Sequence, residues 1–152
     1  MINNQCNFLN LISIRHSDSI ESIDLHPESD SRFCSGGTDQ CLGIWRLKDK
    51  QFDSVFNNMS TKVHENPLKR VKLCTAKITP EWLKPIHDQP LTKTVWAKDQ
   101  MIYSSSIEGA IKIFDPYSLK EAASFTTKVK PPTAMCYNSN LLTVGSEDGI
   151  IA

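Results

Sequence analysis

Short runs of apolar, β-favouring residues alternate with polar turns along most of this chain. Residues 31–47 show the pattern best: apolar Phe33 and Cys34 precede the run Gly-Gly-Thr-Asp-Gln, and Leu42, Ile44 and Trp45 follow it. This arrangement predicts two strands joined by a tight turn. No segment between the strands has helical periodicity longer than one turn, so the chain is predicted to be all-β with meander connections. The predicted strands are 19–25, 33–35, 42–47, 80–86, 91–97, 101–106, 110–114, 119–127, 133–137 and 141–144.

The hairpin pattern recurs, which indicates a repeat protein. In each repeat a serine is followed four residues later by an acid in the turn, and six residues after the acid by an aromatic residue. The first set is Ser35, Asp39 and Trp45, and the second is Ser104, Glu108 and Phe114. The third repeat begins at Asp148, 40 residues after Glu108, which is one period of a propeller-type repeat. The interval from Asp39 to Glu108 is 69 residues, so about 29 residues are extra. They are assigned to segment 50–79, whose Asn, Ser, Thr and Lys content predicts a long, disordered surface loop.

Composition excludes several classes of function. The chain has 17 basic and 17 acidic residues, so total charge gives no sign of general nucleic-acid binding. Its five cysteines are odd in number and include no C-x-x-C pair, which argues against a disulfide framework or a zinc site and favours a reducing compartment. We see no apolar run of membrane-spanning length and no signal peptide. We therefore expect no membrane partner, cofactor, metal or small-molecule substrate.

The repeats resemble WD repeats, the units of β-propellers. The match rests on histidine before the inner strand, serine on the second strand, aspartate in the turn and tryptophan on the third, with Arg46 in place of the final aspartate of the motif. The resemblance implies a buried structural relay in which the aspartate accepts from histidine, and serine joins the histidine to the indole N–H. The expected relay residues are His16, Ser35, Asp39 and Trp45 in the first repeat, and His87, Ser104, Glu108 and Phe114 in the second.

The second relay is expected to be incomplete, because Phe114 lacks an indole donor and Glu108 is one methylene longer than aspartate. The third repeat has Asp148 but no matching histidine. We therefore predict an all-β, partial WD-repeat β-propeller with about two complete four-stranded blades plus parts of two more. Its expected divisions are 1–14 as the outer strand of a preceding blade, 15–49 with 80–86 as the first blade, 50–79 as a basic insertion, 87–127 as the second blade and 128–152 as a truncated third blade.

The predicted insertion has a basic run, Pro-Leu-Lys-Arg-Val-Lys-Leu. Over residues 57–79 five basic side chains stand against one acid, Glu65. The run resembles a nuclear import signal, with Lys69, Arg70 and Lys72 as the residues that a carrier would bind. The alternatives are a solvated loop or an RNA-phosphate contact. We favour import, which predicts a nuclear protein, in the nucleolus or nucleoplasm.

A narrower resemblance is to the WD-repeat subunits of Pescadillo-containing (PeBoW) complexes, which serve large-ribosomal-subunit assembly in the nucleolus. It rests on the basic insertion between two blades, the Ile111-Lys112-Ile113-Phe114-Asp115 run of the next repeat and a weak repeat after that. The ubiquitin-like domain of that family has no counterpart in residues 1–14. The resemblance implies a noncatalytic scaffold whose partners are PeBoW subunits and pre-60S particles. The alternative is a WD-repeat adaptor of another nuclear complex, such as a ubiquitin-ligase receptor or a chromatin assembly.

A catalytic interpretation of the first-repeat residues is weaker than the structural one. His16, Asp39 and Ser35 superficially form a hydrolase triad, but the propeller interpretation uses the same atoms as buried links, and a nucleophile also needs an oxyanion pocket. His26 and His64 lack metal partners at usable spacing. We therefore predict no catalytic, cofactor-binding or metal-binding residues.

Overall fold

A computed structural model describes residues 14–52, 74–128 and 130–152, and no helix occurs in these ranges. The prediction of an all-β fold with the architecture of a partial propeller is confirmed. The strands are β1 (Ile20–Leu25), β2 (Arg32–Gly37), β3 (Cys41–Phe52), β4 (Cys74–Pro85), β5 (Leu91–Trp96), β6 (Ile102–Ser106), β7 (Ala110–Asp115), β8 (Lys120–Thr126), β9 (Pro132–Asn138) and β10 (Leu141–Ser146).

The strands form antiparallel sheets in chain order. The first sheet is β1-β2-β3-β4, the second is β5-β6-β7-β8, and the third contains β9 and β10. A bridge between Gly145 and Ile151 begins a further pairing on β10. Strands that are consecutive in sequence are therefore neighbours in each sheet. Short turns join all of these pairs except β3 and β4, which are separated by residues 53–73.

Residues paired across an antiparallel ladder point to the same side of the sheet, so each sheet has two distinct faces. We call the face toward the preceding sheet in chain order the leading face, and the face toward the following sheet the trailing face. On the first sheet, the paired residues Cys34 and Ile44 lie on the trailing face. On the second sheet, the paired residues Ile102 and Phe114 lie on the leading face.

The main core lies between the trailing face of the first sheet and the leading face of the second. Its buried members are Cys34, Leu42, Ile44, Trp96, Ile102 and Phe114, with Trp82 and Ile86 packed against them. A smaller cluster between the second and third sheets contains Ile111 and Val144. Each sheet thus buries apolar residues against its neighbours in the chain, which is the way repeat architectures gain stability.

Polar contacts also join the inner strands of the first two sheets. The backbone N–H of Thr94 donates to Ser22 Oγ at 3.0 Å, and the backbone N–H of Trp96 donates to Asp24 Oδ2 at 2.8 Å. These contacts use side chains of β1 to satisfy backbone donors of β5. They fix the height of one inner strand against the next.

The first sheet differs from the sequence prediction at its outer strands. β3 continues to Phe52 and β4 begins at Cys74, so strand pairing occupies both ends of the segment predicted to be a disordered insertion, 50–79. The sequence there is rich in Lys, Gln and Thr and lacks the alternation of apolar and polar residues that identifies a core-facing strand. Strands that pair only through their backbones do not require this alternation, so the sequence analysis did not detect them. The predicted import residues Lys69, Arg70 and Lys72 lie outside the described residues. So do 1–13, which include nearly all of the predicted outer strand of a preceding blade.

Candidate functional site

The structure brings the four relay residues of the first repeat together. His16 Nδ1 lies 2.9 and 3.0 Å from the two carboxylate oxygens of Asp39, and His16 Nε2 lies 2.7 Å from Ser35 Oγ. The indole Nε1–H of Trp45 donates to the same Ser35 oxygen at 2.7 Å. A continuous polar chain therefore runs from the turn acid, through the histidine and the serine, to the third strand.

The chemistry of the partners fixes the direction of these hydrogen bonds. An ionised carboxylate can only accept, so Nδ1 of His16 is a donor to Asp39. In the neutral imidazole Nε2 is then an acceptor, and the Ser35 hydroxyl donates to it while accepting from Trp45. Every polar side-chain atom of this relay therefore has a hydrogen-bond partner, which a buried network needs if it is to stabilise the fold.

Asp39 also organises the backbone around the turn. Its carboxylate accepts from the backbone N–H groups of Ser17 at 2.9 Å and Cys41 at 3.1 Å. Burial alone would raise the pKa of this carboxyl, but the hydrogen bonds from His16, Ser17 and Cys41 outweigh it and lower the pKa below its ordinary value. Asp39 is therefore held ionised, which suits an acceptor of several hydrogen bonds.

Two glycines make room for this relay. The sequence analysis did not mention Gly43 and assigned Gly37 to the turn, whereas the structure places Gly37 at the end of β2. A Cβ at Gly43 would lie 2.6 Å from Trp45 Nε1 and 2.8 Å from Ser35 Oγ. A Cβ at Gly37 would lie 2.7 Å from an Asp39 carboxylate oxygen and 2.9 Å from His16 Nδ1. The absence of a side chain at these strand positions is the signal that could have revealed the close packing beside them.

The second repeat contains only part of the relay. His87 Nε2 lies 2.8 Å from Ser104 Oγ, and both residues are buried. Within the described ranges, no hydrogen bond joins Glu108 to His87, and Glu108 is exposed. Phe114 packs against Trp82 with ring centroids 4.7 Å apart and has no group to donate to Ser104.

Burial controls the charge of His87. Burial and, to a smaller extent, the nearby Lys112 ammonium lower its pKa to about 4, against smaller opposing contributions from Glu121 and Asp88. His87 is therefore neutral at physiological pH. The ion pair of Lys112 with Glu121, at 2.8 Å, stands close to this histidine but does not replace the missing turn-acid contact.

The third repeat has no relay in the described residues. Asp148 accepts a short hydrogen bond from the Ser146 hydroxyl in the turn after β10. Val144 occupies the sequence place that the relay serine holds in the other repeats and packs in the apolar cluster with Ile111.

The geometry of the first relay does not resemble a hydrolase site. Ser35 is only 1% exposed, and its oxygen already contacts both His16 and Trp45. The cavity beside the relay, about 520 Å³, is lined by Arg15, His16, Ser17 and Asp18, and Ser35 is not among these residues. A substrate in that cavity would therefore meet the backbone and side chains around the histidine, not the serine hydroxyl.

A second polar cluster, which the sequence analysis missed, joins the first two sheets at the opposite ends of their strands. Glu81 on β4 pairs with Arg32 at 2.9 Å and also with Arg46. The Arg32 guanidinium lies over the rings of Trp96 and Tyr117, 5.2 and 5.7 Å from their centroids. Burial opposes ionisation of Glu81, but the hydrogen bonds from the two arginines lower its pKa below the ordinary value. Arg46, which replaces the final aspartate of the motif, thus has a structural partner.

Across the part of the chain that the structure describes, no three or more His, Cys, Asp or Glu side chains are placed to hold a metal ion. The same residues contain no helix long and apolar enough to cross a membrane.

No protein-family profile matches this chain. A curated relative is the Polycomb group protein FIE2 of Zea mays, 24% identical over 155 aligned residues, which cover 90% of this chain and 38% of that protein. The chain thus spans less than two fifths of the length of this relative. The similarity, with the blade-like sheets, supports a relation to WD-repeat proteins in general. It does not support the narrower resemblance to PeBoW subunits.

Proposed function

We propose that this protein is a noncatalytic WD-repeat scaffold that binds other proteins within a nuclear complex. The observation that carries the proposal is the first relay, in which Ser35 is buried and doubly hydrogen bonded. The residues that superficially form a triad are thus used to hold a sheet together. What remains for partners is the surface formed by the turns and the edges of the sheets, which is how propellers serve as interaction platforms.

The complex that we favour is a chromatin assembly, the alternative from the sequence analysis. Its support is the similarity to a protein named as a Polycomb group protein. This similarity covers 90% of the chain. From this relative we infer for the present chain only a shared architecture and a similar general role.

The second candidate is nucleolar assembly of the large ribosomal subunit. It rests on the basic run around Lys69, Arg70 and Lys72 and on its position between two blades. In the sequence this run lies between β3 and β4, which pair as far as Phe52 and Cys74. A basic segment of this kind would suit an import carrier or RNA phosphates.

The nuclear part of the proposal is tested by localising the chain as a fluorescent fusion. We expect nuclear accumulation for the unchanged chain and loss of accumulation when Lys69, Arg70 and Lys72 are all replaced by alanine. The matched control replaces Lys93, Lys98 and Lys120, which lie on or beside strands of the second sheet. A cytoplasmic unchanged chain, or equal effects of the two triple variants, would contradict import by the basic run.

The partner class is tested by affinity purification from nuclear extract. Recovery of chromatin-complex subunits without pre-60S factors supports the favoured candidate, whereas recovery of PeBoW and pre-60S proteins supports the second. Cullin-type ligase subunits alone would contradict both. A hydrolase activity that Ser35→Ala abolishes while the circular dichroism spectrum is unchanged would overturn the scaffold proposal itself.

A further inference from the structure

We infer that Thr79 is a phosphorylation site, to which a proline-directed protein kinase transfers the γ-phosphoryl group of ATP. The inference goes beyond the proposed scaffold function and does not depend on the identity of the nuclear complex. It rests on the residue that follows Thr79, on the place of Thr79 in the first sheet and on the charges beside it.

Thr79 is the only serine or threonine of the 152-residue sequence that a proline follows directly. Proline-directed kinases bind the acceptor segment in an extended conformation, and the proline ring suits this requirement because it fixes the backbone and removes an N–H. Thr79 and Pro80 lie on β4, which is already extended. Among the described strands, β4 has a neighbour on one side only, β3. The segment therefore has the backbone conformation that such a kinase binds.

Pairing between β3 and β4 is interrupted directly after Thr79. Pro80 has no N–H to donate, and the register shifts beside it, so that Glu81 has no opposite residue on β3. The side chain of Thr79 is half-buried, and its hydroxyl donates to the carbonyl oxygen of Arg46 at 3.2 Å. Freeing this hydroxyl for reaction thus breaks one side-chain hydrogen bond at a place where the ladder is already irregular.

Two arginines lie on the trailing face of the first sheet together with Thr79. Arg46 pairs with Thr79 across the ladder, and Arg32 pairs with Arg46. Paired residues share a face, with Cβ atoms about 5 Å apart. Glu81 contacts both arginines, yet the side chain of Arg46 is still 46% exposed. Arg46 can therefore turn to a phosphate on Thr79 while Arg32 stays with Glu81, whereas the aspartate of the WD motif at position 46 would repel it.

The reaction is a phosphoryl transfer that balances without a further reagent. Oγ1 of Thr79 attacks the γ-phosphorus of ATP, the bond from that phosphorus to the bridging oxygen breaks to release ADP, and the catalytic aspartate of the kinase accepts the hydroxyl proton. The product loses the hydrogen bond to the Arg46 carbonyl, because its oxygen no longer has a proton. It gains a charge of about −1.5 to −2 and three acceptor oxygens, which the Arg46 guanidinium can bind.

Treatment of the folded 152-residue chain with ATP and purified kinases of the mitogen-activated and cyclin-dependent classes tests the site. We expect tandem mass spectrometry to locate one phosphate, on Thr79. Thr79→Val keeps the β-branched shape and should incorporate none, and Pro80→Ala keeps the hydroxyl and should lose incorporation. An unphosphorylated Thr79 in the unchanged chain overturns the inference, as does equal incorporation in Pro80→Ala.

Phosphorus NMR of the phosphorylated chain tests the role of Arg46. The second pKa of a phosphothreonine is ordinarily about 6. We expect the phosphate of the unchanged chain to have a lower pKa, because the guanidinium favours the dianion, and Arg46→Gln to restore the ordinary value. Lys84→Gln is the matched control, since it removes a positive charge from the same strand five residues away. Equal pKa values in the unchanged chain and Arg46→Gln would contradict binding of the phosphate by Arg46.

Discussion

Replacing Ser35 by alanine is the most direct test of the relay. The hydroxyl links two buried nitrogens, His16 Nε2 and Trp45 Nε1, each at 2.7 Å. Alanine leaves both nitrogens without this partner in a site where water has almost no access. A buried polar group that loses its partner costs about 1–3 kcal/mol. For two such groups the costs sum to about 2–6 kcal/mol. We expect Ser35→Ala to lower the free energy of unfolding by about 2–4 kcal/mol, in the lower part of this range, because the site can relax.

The second repeat provides the matched control. Ser104 also contacts a histidine, His87, and donates a long hydrogen bond of 3.4 Å to the carbonyl oxygen of Lys112, but no indole donates to it. Ser104→Ala therefore leaves one buried nitrogen unpaired instead of two, and we expect about half the cost, roughly 1–2 kcal/mol. The comparison keeps the chemical change constant and varies the number of buried nitrogens that lose a partner.

A double-mutant cycle isolates the Ser35–Trp45 contact. In the background Trp45→Phe, alanine at position 35 no longer strands an indole N–H, so its cost should fall by about 1 kcal/mol. Unfolding in urea, followed by circular dichroism so that loss of an indole does not affect the signal, gives the four free energies. A coupling of zero, or an equal cost of Ser35→Ala and Ser104→Ala, would show that the hydrogen bonds seen in the structure do not contribute as argued.

Three further predictions follow from other residues. The unfolded chain protonates His87 near pH 6.5 and the folded chain only near 4. The contribution of His87 to stability should therefore be constant above neutrality and fall by up to about 3 kcal/mol between these two pH values. His87→Gln should reduce this fall in urea titrations at several pH values. Gly149→Ala should lower the free energy of unfolding in urea by about 1 kcal/mol, because φ is +84° there and the added Cβ would meet no other atom. Gln40 also has a positive φ, 66°, so Gln40→Gly should leave the free energy of unfolding unchanged. Gly43→Ala should cost about 1–3 kcal/mol and change the Trp45 fluorescence, because the new Cβ overlaps the indole.

The strands and the residues of the first relay leave a repeated pattern in the sequence. The spacing of Ser35, Asp39 and Trp45 recurs in the second repeat, and the apolar runs fall where strands β1 to β10 occur. Histidine in the first relay was assigned from the resemblance to WD repeats, and the structure places it between the two partners that the resemblance implies. A contact across more than twenty positions, as between His16 and Asp39, was therefore expected from a family resemblance and not from spacing alone.

Other features could not be predicted because they depend on tertiary contacts without periodic spacing. Glu81 meets Arg32 and Arg46 only because β4 lies beside β3 after a long interval in the chain. The outer parts of β3 and β4 were assigned to a loop, since backbone pairing does not require apolar alternation. Both failures concern strands whose partners are distant in sequence.

The difference between the two relays is coupled across neighbouring strands. Ser35 pairs with Gly43 and Ser104 pairs with Lys112, so a side chain stands in the second repeat at the place where the first has none. A Cβ at that place would lie 2.6 Å from the indole nitrogen of Trp45. An indole at position 114 could therefore not adopt the position that Trp45 has. Phe114 packs instead on Trp82 of the preceding sheet, where apolar contact between sheets replaces the hydrogen bond within one. The glycine and the tryptophan are thus a single requirement of the relay, and the second repeat lacks both.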